Sequence, residues 1–135
     1  MNEGIKKPRP RLKSLPASEQ MKAWSAALAA EVAEWPKVDA RVFFGFTALY
    51  RGDFIFGLLP RTRSMWSTNS IGFKLENPTS RVSRGLEQDP RVSPTRMQKA
   101  RWFAFALRED IDLHSALDWL GRAYDAAGKK PRARS

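Results

Sequence analysis

The side chains in this 135-residue sequence whose types and spacing could do chemistry together are cationic: Arg61, Arg63, Arg81, Arg84, Arg91, Arg96, Lys99 and Arg101, interleaved with Trp66 and Met97. Guanidinium and ammonium groups neutralise phosphates and release counterions, and an exposed indole can stack on an unpaired base. The set therefore reads as a candidate nucleic-acid surface. The competing reading is an ordinary solvated surface, in which several of these arginines pair with Glu76, Glu87, Asp89 or the acidic last helix.

Other chemistries find fewer residues. His114 is the only histidine and cysteine is absent, so no histidine pair or thiolate set can hold a transition metal. His114 falls in the first turn of a helix, off its apolar seam, with no serine in a nucleophile motif beside it, and reads as solvent-facing. Glu109, Asp110 and Asp112 lack the alternation and central glycine of a calcium loop, and their place at a helix start suits capping of free amides. Gly-x-Gly-x-x-Gly and Gly-x4-Gly-Lys-Ser/Thr do not occur, so the usual nucleotide cradles are missing and no cofactor is expected. A nonstandard phosphate site built from Arg61 and Arg63 stays open. Arg51-Gly52-Asp53 spells an adhesion tripeptide, but a three-residue hairpin loop with a central glycine explains it without one.

Charge is distributed unevenly. Of the net +10, residues 1–14 and 128–135 carry +8, residues 51–108 carry +7, and the flanking stretches 15–50 and 109–127 are acidic. The two ends read as a disordered basic arm (1–14) and a basic tail (128–135) around one domain at 15–127. The longest apolar run, residues 54–59, is far too short to span a bilayer, and no signal segment opens the chain. A soluble cytoplasmic protein is expected from this, and the absence of cysteine is compatible with it.

These residues need a scaffold, and hydrophobic periodicity supplies one. Met21, Trp24, Leu28, Val32 and Trp35 recur at three and four residues, predicting a helix over 17–35 capped by Ser18 and ended by Pro36. Residues 41–59 read as two strands joined by residues 51–53. Val42, Phe44, Phe46, Ala48 and Tyr50 share one face with Phe54, Phe56 and Leu58. Gly45 and Gly57 thin the other face, which is the place to look for a pocket. Ile71, Phe73 and Leu75 mark a third strand. Asn77-Pro78 starts a short helix with Val82 and Leu86 buried, stopped at Asp89-Pro90. Residues 100–108 form a fourth strand. Asp112 caps a last helix whose seam is Leu113, Ala116, Leu117, Leu120 and Tyr124, with Gly128 as its left-handed terminator. Trp119 flanks that seam, packed on the first helix or serving as a partner anchor. The sum is an α+β, two-layer fold with a mainly antiparallel four-stranded sheet, a hairpin plus two strands, and N-terminal, short middle and C-terminal helices.

The run Phe43-Phe44-Gly45-Phe46-Thr47-Ala48-Leu49-Tyr50-Arg51-Gly52-Asp53, followed by apolar 54–59, resembles the amino-terminal domain of the TfoX/Sxy competence-regulator family, where an FGG-x-G-L-Y type strand precedes a short turn and a second apolar strand. The strand at 102–107 and the helix carrying Asp112, Leu113, Ala116, Leu117, Trp119, Leu120 and Tyr124 resemble the related MmcQ/YjbR-like domains. Phe46 stands where the family often has a second glycine, and the basic loop 61–66 has no counterpart. The resemblance implies a small bacterial α+β domain, in a group sometimes predicted to bind DNA through a double-wing surface. Fold does not dictate function, so three readings stand. The first is a noncatalytic binding or regulatory domain associated with nucleic acid, or a nucleic-acid-associated protein, through its basic surface and tails. The second is a small-molecule-binding domain or unrecognised enzyme with a pocket near Gly45 and Gly57. The third is a protein-interaction or homodimerisation module using Trp66 or Trp119.

Overall fold

The computed structural model describes residues 15–64, 69–95 and 101–129. Helix α1 (Glu19–Val32) begins where its hydroxyl cap predicts: Ser18 is extended and its Oγ accepts the Met21 amide at 3.0 Å. Ahead of it, β1 (Leu15–Pro16) pairs antiparallel with β5 (Arg63–Ser64) in a separate two-stranded ladder. Helix α2 (Ser80–Gln88) is capped by Thr79, whose Oγ1 accepts the Val82 amide at 3.2 Å. The Asn77-Pro78 start expected from sequence is thus displaced by two residues, because Asn77 takes a left-handed φ of 51°. Helix α3 runs over Asp112–Gly128.

The main sheet has six antiparallel strands, not four, in the order β2 (Val38–Phe43), β3 (Phe46–Arg51), β4 (Phe54–Pro60), β6 (Ser70–Lys74), β8 (Trp102–Ala106) and β7 (Val92–Pro94). One added strand comes from the stretch read as continuous over 41–50. Phe44 and Gly45, at φ 48° and 87°, turn the chain back in a two-residue hairpin, so Phe43 pairs with Phe46. The other, β7, is three residues long and contains Pro94, too short for a periodic signal. Arg51 pairs with Phe54 across a two-residue turn, Gly52-Asp53, with Gly52 at φ 61°. That is one residue shorter than the expected loop.

A bulge restores the register. Leu49 pairs with Gly57 while Tyr50 pairs with Ile55, which leaves Phe56 as the extra residue of β4. Phe56 therefore swings to the helix side, against Trp35 (6.5 Å) and Tyr124 (5.6 Å between ring centroids), whereas Leu58 keeps its expected place beside Ala48. All three helices bury one face of the sheet: Met21, Trp24, Leu28 and Val32 from α1, Leu86 from α2, and Ala116, Trp119, Leu120, Ala123 and Ala127 from α3 pack with Leu49, Phe56, Leu59, Ile71, Phe73 and Phe105. Each large aliphatic or aromatic side chain so buried contributes about 1.5–3 kcal/mol. A smaller cluster on the other face, Ala48, Leu58 and Trp102 with Phe46, Tyr50 and Ile55, is made of strand residues.

Three expectations about α3 are corrected. Trp119 is buried, stacks on Phe73 at 5.3 Å and donates from Nε1 to Asp89, so it packs on the sheet and cannot anchor a partner. Gly128 lies inside the helix without a positive φ, and the Arg51 guanidinium, the far end of a flexible side chain, occupies the space a Cβ would take. Asp112 does not cap α3. Its Oδ2 accepts the amides of Arg108 and Glu109 (2.7 and 3.0 Å), fixing the turn that feeds the helix. No described helix is long and apolar enough to cross a membrane.

Candidate nucleic-acid interface

The β2–β3 turn is built around one carbonyl. Gly45 O accepts backbone amides from Arg61, Thr62 and Arg63 at 2.9, 2.9 and 3.2 Å, so the residues leaving β4 wrap the turn. A side chain at position 45 would be strained by φ 87° and would meet Arg63 Cγ at 2.7 Å. Gly45 thus marks a close approach of two segments, with Arg63 filling the space in which a pocket was expected. Gly57 is likewise covered, since a Cβ there would lie 2.9 Å from Leu120 Cδ2 and 3.1 Å from Leu49 Cδ1.

The same wrapping presents an unusual surface. Phe44 is 84% exposed and Phe43 52% exposed, their rings edge to face at 4.8 Å. Arg61 and Arg63 are exposed beside them, and neither forms an ion pair with a described residue. Phe44 also occupies a left-handed backbone conformation, which costs a bulky side chain on the order of 1–3 kcal/mol. Strain and exposure together are a poor use of a phenylalanine in a purely structural turn. Leu15, which directly follows the basic segment 1–14 in sequence, pairs with Ser64 at this same end. Arg41, on the adjoining strand, lies over the Tyr50 ring at 4.1 Å and pairs with Asp39.

The remaining arginines of the sequence set do not converge here. Arg91 is held in the fold: it reaches Asp89 through Nε at 3.0 Å and Asp112 through Nη1 at 3.0 Å, with its guanidinium 4.9 Å from the Phe105 ring centroid. Burial alone would raise the Asp89 pKa, but hydrogen bonds from the Arg91 side chain and amide and from Trp119 outweigh it and hold the carboxyl below its usual range. Asp112 is lowered chiefly by the Arg108 amide, against some burial, with Glu109 and Arg91 adding to it. Arg101 pairs with Glu76 at 3.3 Å, which also holds Lys74 at 3.2 Å. This acidic-basic group sits where β4 begins, and Arg61 follows its end, roughly 20 Å away at strand rise. Arg81 and Arg84 are exposed on α2. Trp66, Arg96 and Lys99 lie outside the described residues.

Other candidate sites reduce to structure. Asp110 accepts from Trp24 Nε1 at 2.8 Å, and no group of three possible metal ligands occurs among the described residues. His114 is exposed, as expected. Arg51 turns inward, over the Tyr124 ring at 4.1 Å and onto the Tyr124 carbonyl at 3.0 Å, so the tripeptide is a turn. Two adjoining clefts of about 150 and 460 Å³ open near Glu76, lined by Asp53, Lys74, Thr79, Arg122 and Asp125, and neither borders Gly45 or Gly57. Phe43 and Phe44 carry no turn signal in the sequence, because a two-residue turn normally announces itself as Asn-Gly or Asp-Gly. Phe-Gly inside an alternating apolar run looks like strand.

The chain matches no protein-family model, no curated protein and no solved structure.

Proposed function

We propose that this protein is a noncatalytic nucleic-acid-binding domain that engages single-stranded segments at the β2–β3 tip. The observation that carries the reading is the pairing of two exposed phenylalanines, one on a strained backbone, with two exposed arginines free of ion pairs to described residues. Aromatic faces accept any unpaired base and arginines follow the phosphates, so this combination favours a single strand without strong sequence preference. The arm at 1–14, which directly precedes Leu15 in sequence, adds electrostatic capture. The stretch resembling the TfoX/Sxy domain contains this turn, and membership of that group, like a bacterial cytoplasmic setting, belongs to the same proposal.

Fluorescence anisotropy with a labelled single-stranded oligonucleotide and its duplex, at about 50 and 200 mM salt, tests it. Single strands bind more tightly, and R61A/R63A reduces the salt slope for the single strand by about 1.4, at roughly 0.7 per phosphate contact. An unchanged slope in that variant, with all binding lost on removing residues 1–14, contradicts the tip as the site.

A further inference from the structure

The two edges of the main sheet differ. Strand β7 is short and carries Pro94, both of which discourage pairing, whereas β2 is six residues long, contains no proline and is exposed over five of them. Phe43 and Phe46 flank a two-residue turn and so form a hydrogen-bonded pair. Alternation from there directs Arg41 and Asp39 toward β3 as well. The backbone groups of Val38, Ala40 and Val42 therefore point away from the sheet. Of these, the Val38 amide is taken by Trp35 O at 3.3 Å.

We infer that β2 pairs antiparallel with β2 of a second copy about a two-fold axis at Ala40, joining two sheets into one. Charge selects this register. With Ala40 opposite its own copy, Asp39 faces Arg41 of the other chain and Arg41 faces Asp39. Both are non-hydrogen-bonded positions, where opposing side chains come closest. Shifting by one hydrogen-bonding step in one direction sets Asp39 against Asp39, and in the other direction Arg41 against Arg41, each a like-charge pair across the axis. Val42, 66% exposed in the monomer, then lies opposite Val38, and Lys37, at φ 64°, ends the ladder. Five residues a side bury less than a standard interface, so the association is weak and seen only at high protein concentration. The pairing is independent of the nucleic-acid reading, and it would set the two Phe44 tips about 27 Å apart along the strand axis.

Analytical ultracentrifugation to about 1 mM protein tests the pairing. The native chain reaches twice the monomer mass; D39R and R41D, each folded by circular dichroism, are monomers alone, and their mixture forms a heterodimer. Complementation in the mixture separates pairing between chains from the Asp39–Arg41 contact within one chain, which mixing cannot restore. Should the reversed variants fold poorly, amide exchange on the native chain gives a second reading, with Ala40 and Val42 protected at high concentration and exposed at low. A native monomer at 1 mM, dimeric single variants, a mixture that stays monomeric, or amides indifferent to concentration would each overturn the proposal.

Discussion

Replacing Phe44 with asparagine should make the protein more stable and less able to bind. Residue 44 sits at φ 48° and is 84% exposed, so the phenyl ring gains little from burial while its backbone stays strained. Asparagine tolerates that conformation and, ahead of Gly45, supplies the Asn-Gly pair that two-residue hairpins favour. Relief of strain contributes on the order of 1–2 kcal/mol. Against it stands the loss of the edge-to-face contact with Phe43, about 0.5 kcal/mol at an exposed site. The net gain is about 1 kcal/mol, which raises Tm by roughly 4 °C in a domain of this size. Loss of one stacked base costs about 1–3 kcal/mol of binding, or roughly 5- to 150-fold in affinity for a single strand. Urea denaturation and anisotropy on the same preparations read both. If F44N lowers stability by more than about 1 kcal/mol, Phe44 is a packing residue and the reasoning from strain to function is wrong.

Removing the Arg91 guanidinium in R91A leaves Asp112 and Asp89 short of a charged partner; with Arg91 partly solvent-exposed, we expect a loss of about 2–3 kcal/mol in urea denaturation. Oligonucleotide affinity at a temperature where the variant is folded should not change. Because Asp89 and Asp112 have lowered pKa values in the fold, their contribution is fully present above the unfolded carboxylate range near pH 4 and disappears as pH falls through their lower folded values. Denaturation midpoints against pH should therefore drop steeply below about pH 4, and less steeply in R91A. Gly57→Val drives side-chain atoms into Leu120 and Leu49 and should cost about 1–3 kcal/mol or more; a neutral outcome would mean that α3 does not rest on the sheet at that point.

Legibility in the sequence followed the length and regularity of each signal. The seams of α1 and α3 recur over three or more turns, so both helices could be read, and Ser18 marked the start of α1; its end did not follow Pro36, since the helix stops at Val32 and a turn fills the interval. Strand faces in residues 54–60 could not, because one bulged residue, Phe56, reverses the parity on which such reading depends. The candidate site was half visible. Arg61 and Arg63 stood out by charge; Asp89, two residues from Arg91, is a local partner, but the contacts of Arg91 with Asp112 and of Arg101 with Glu76 span 21 and 25 residues and leave no local mark. The aromatic half was hidden by its own strain, since a phenylalanine in a left-handed turn violates the propensity that would reveal the turn. Local rules fail most often where a residue is placed for a reason other than folding.

Photocrosslinking tests the central claim most directly. A single-stranded oligonucleotide carrying 5-iodouracil, irradiated with the full-length protein and mapped by peptide mass spectrometry, should crosslink at Phe44 or Phe43. Competition with unlabelled single strand should remove the adduct. Adducts confined to residues far from the β2–β3 tip, or to the arm alone, would contradict the account.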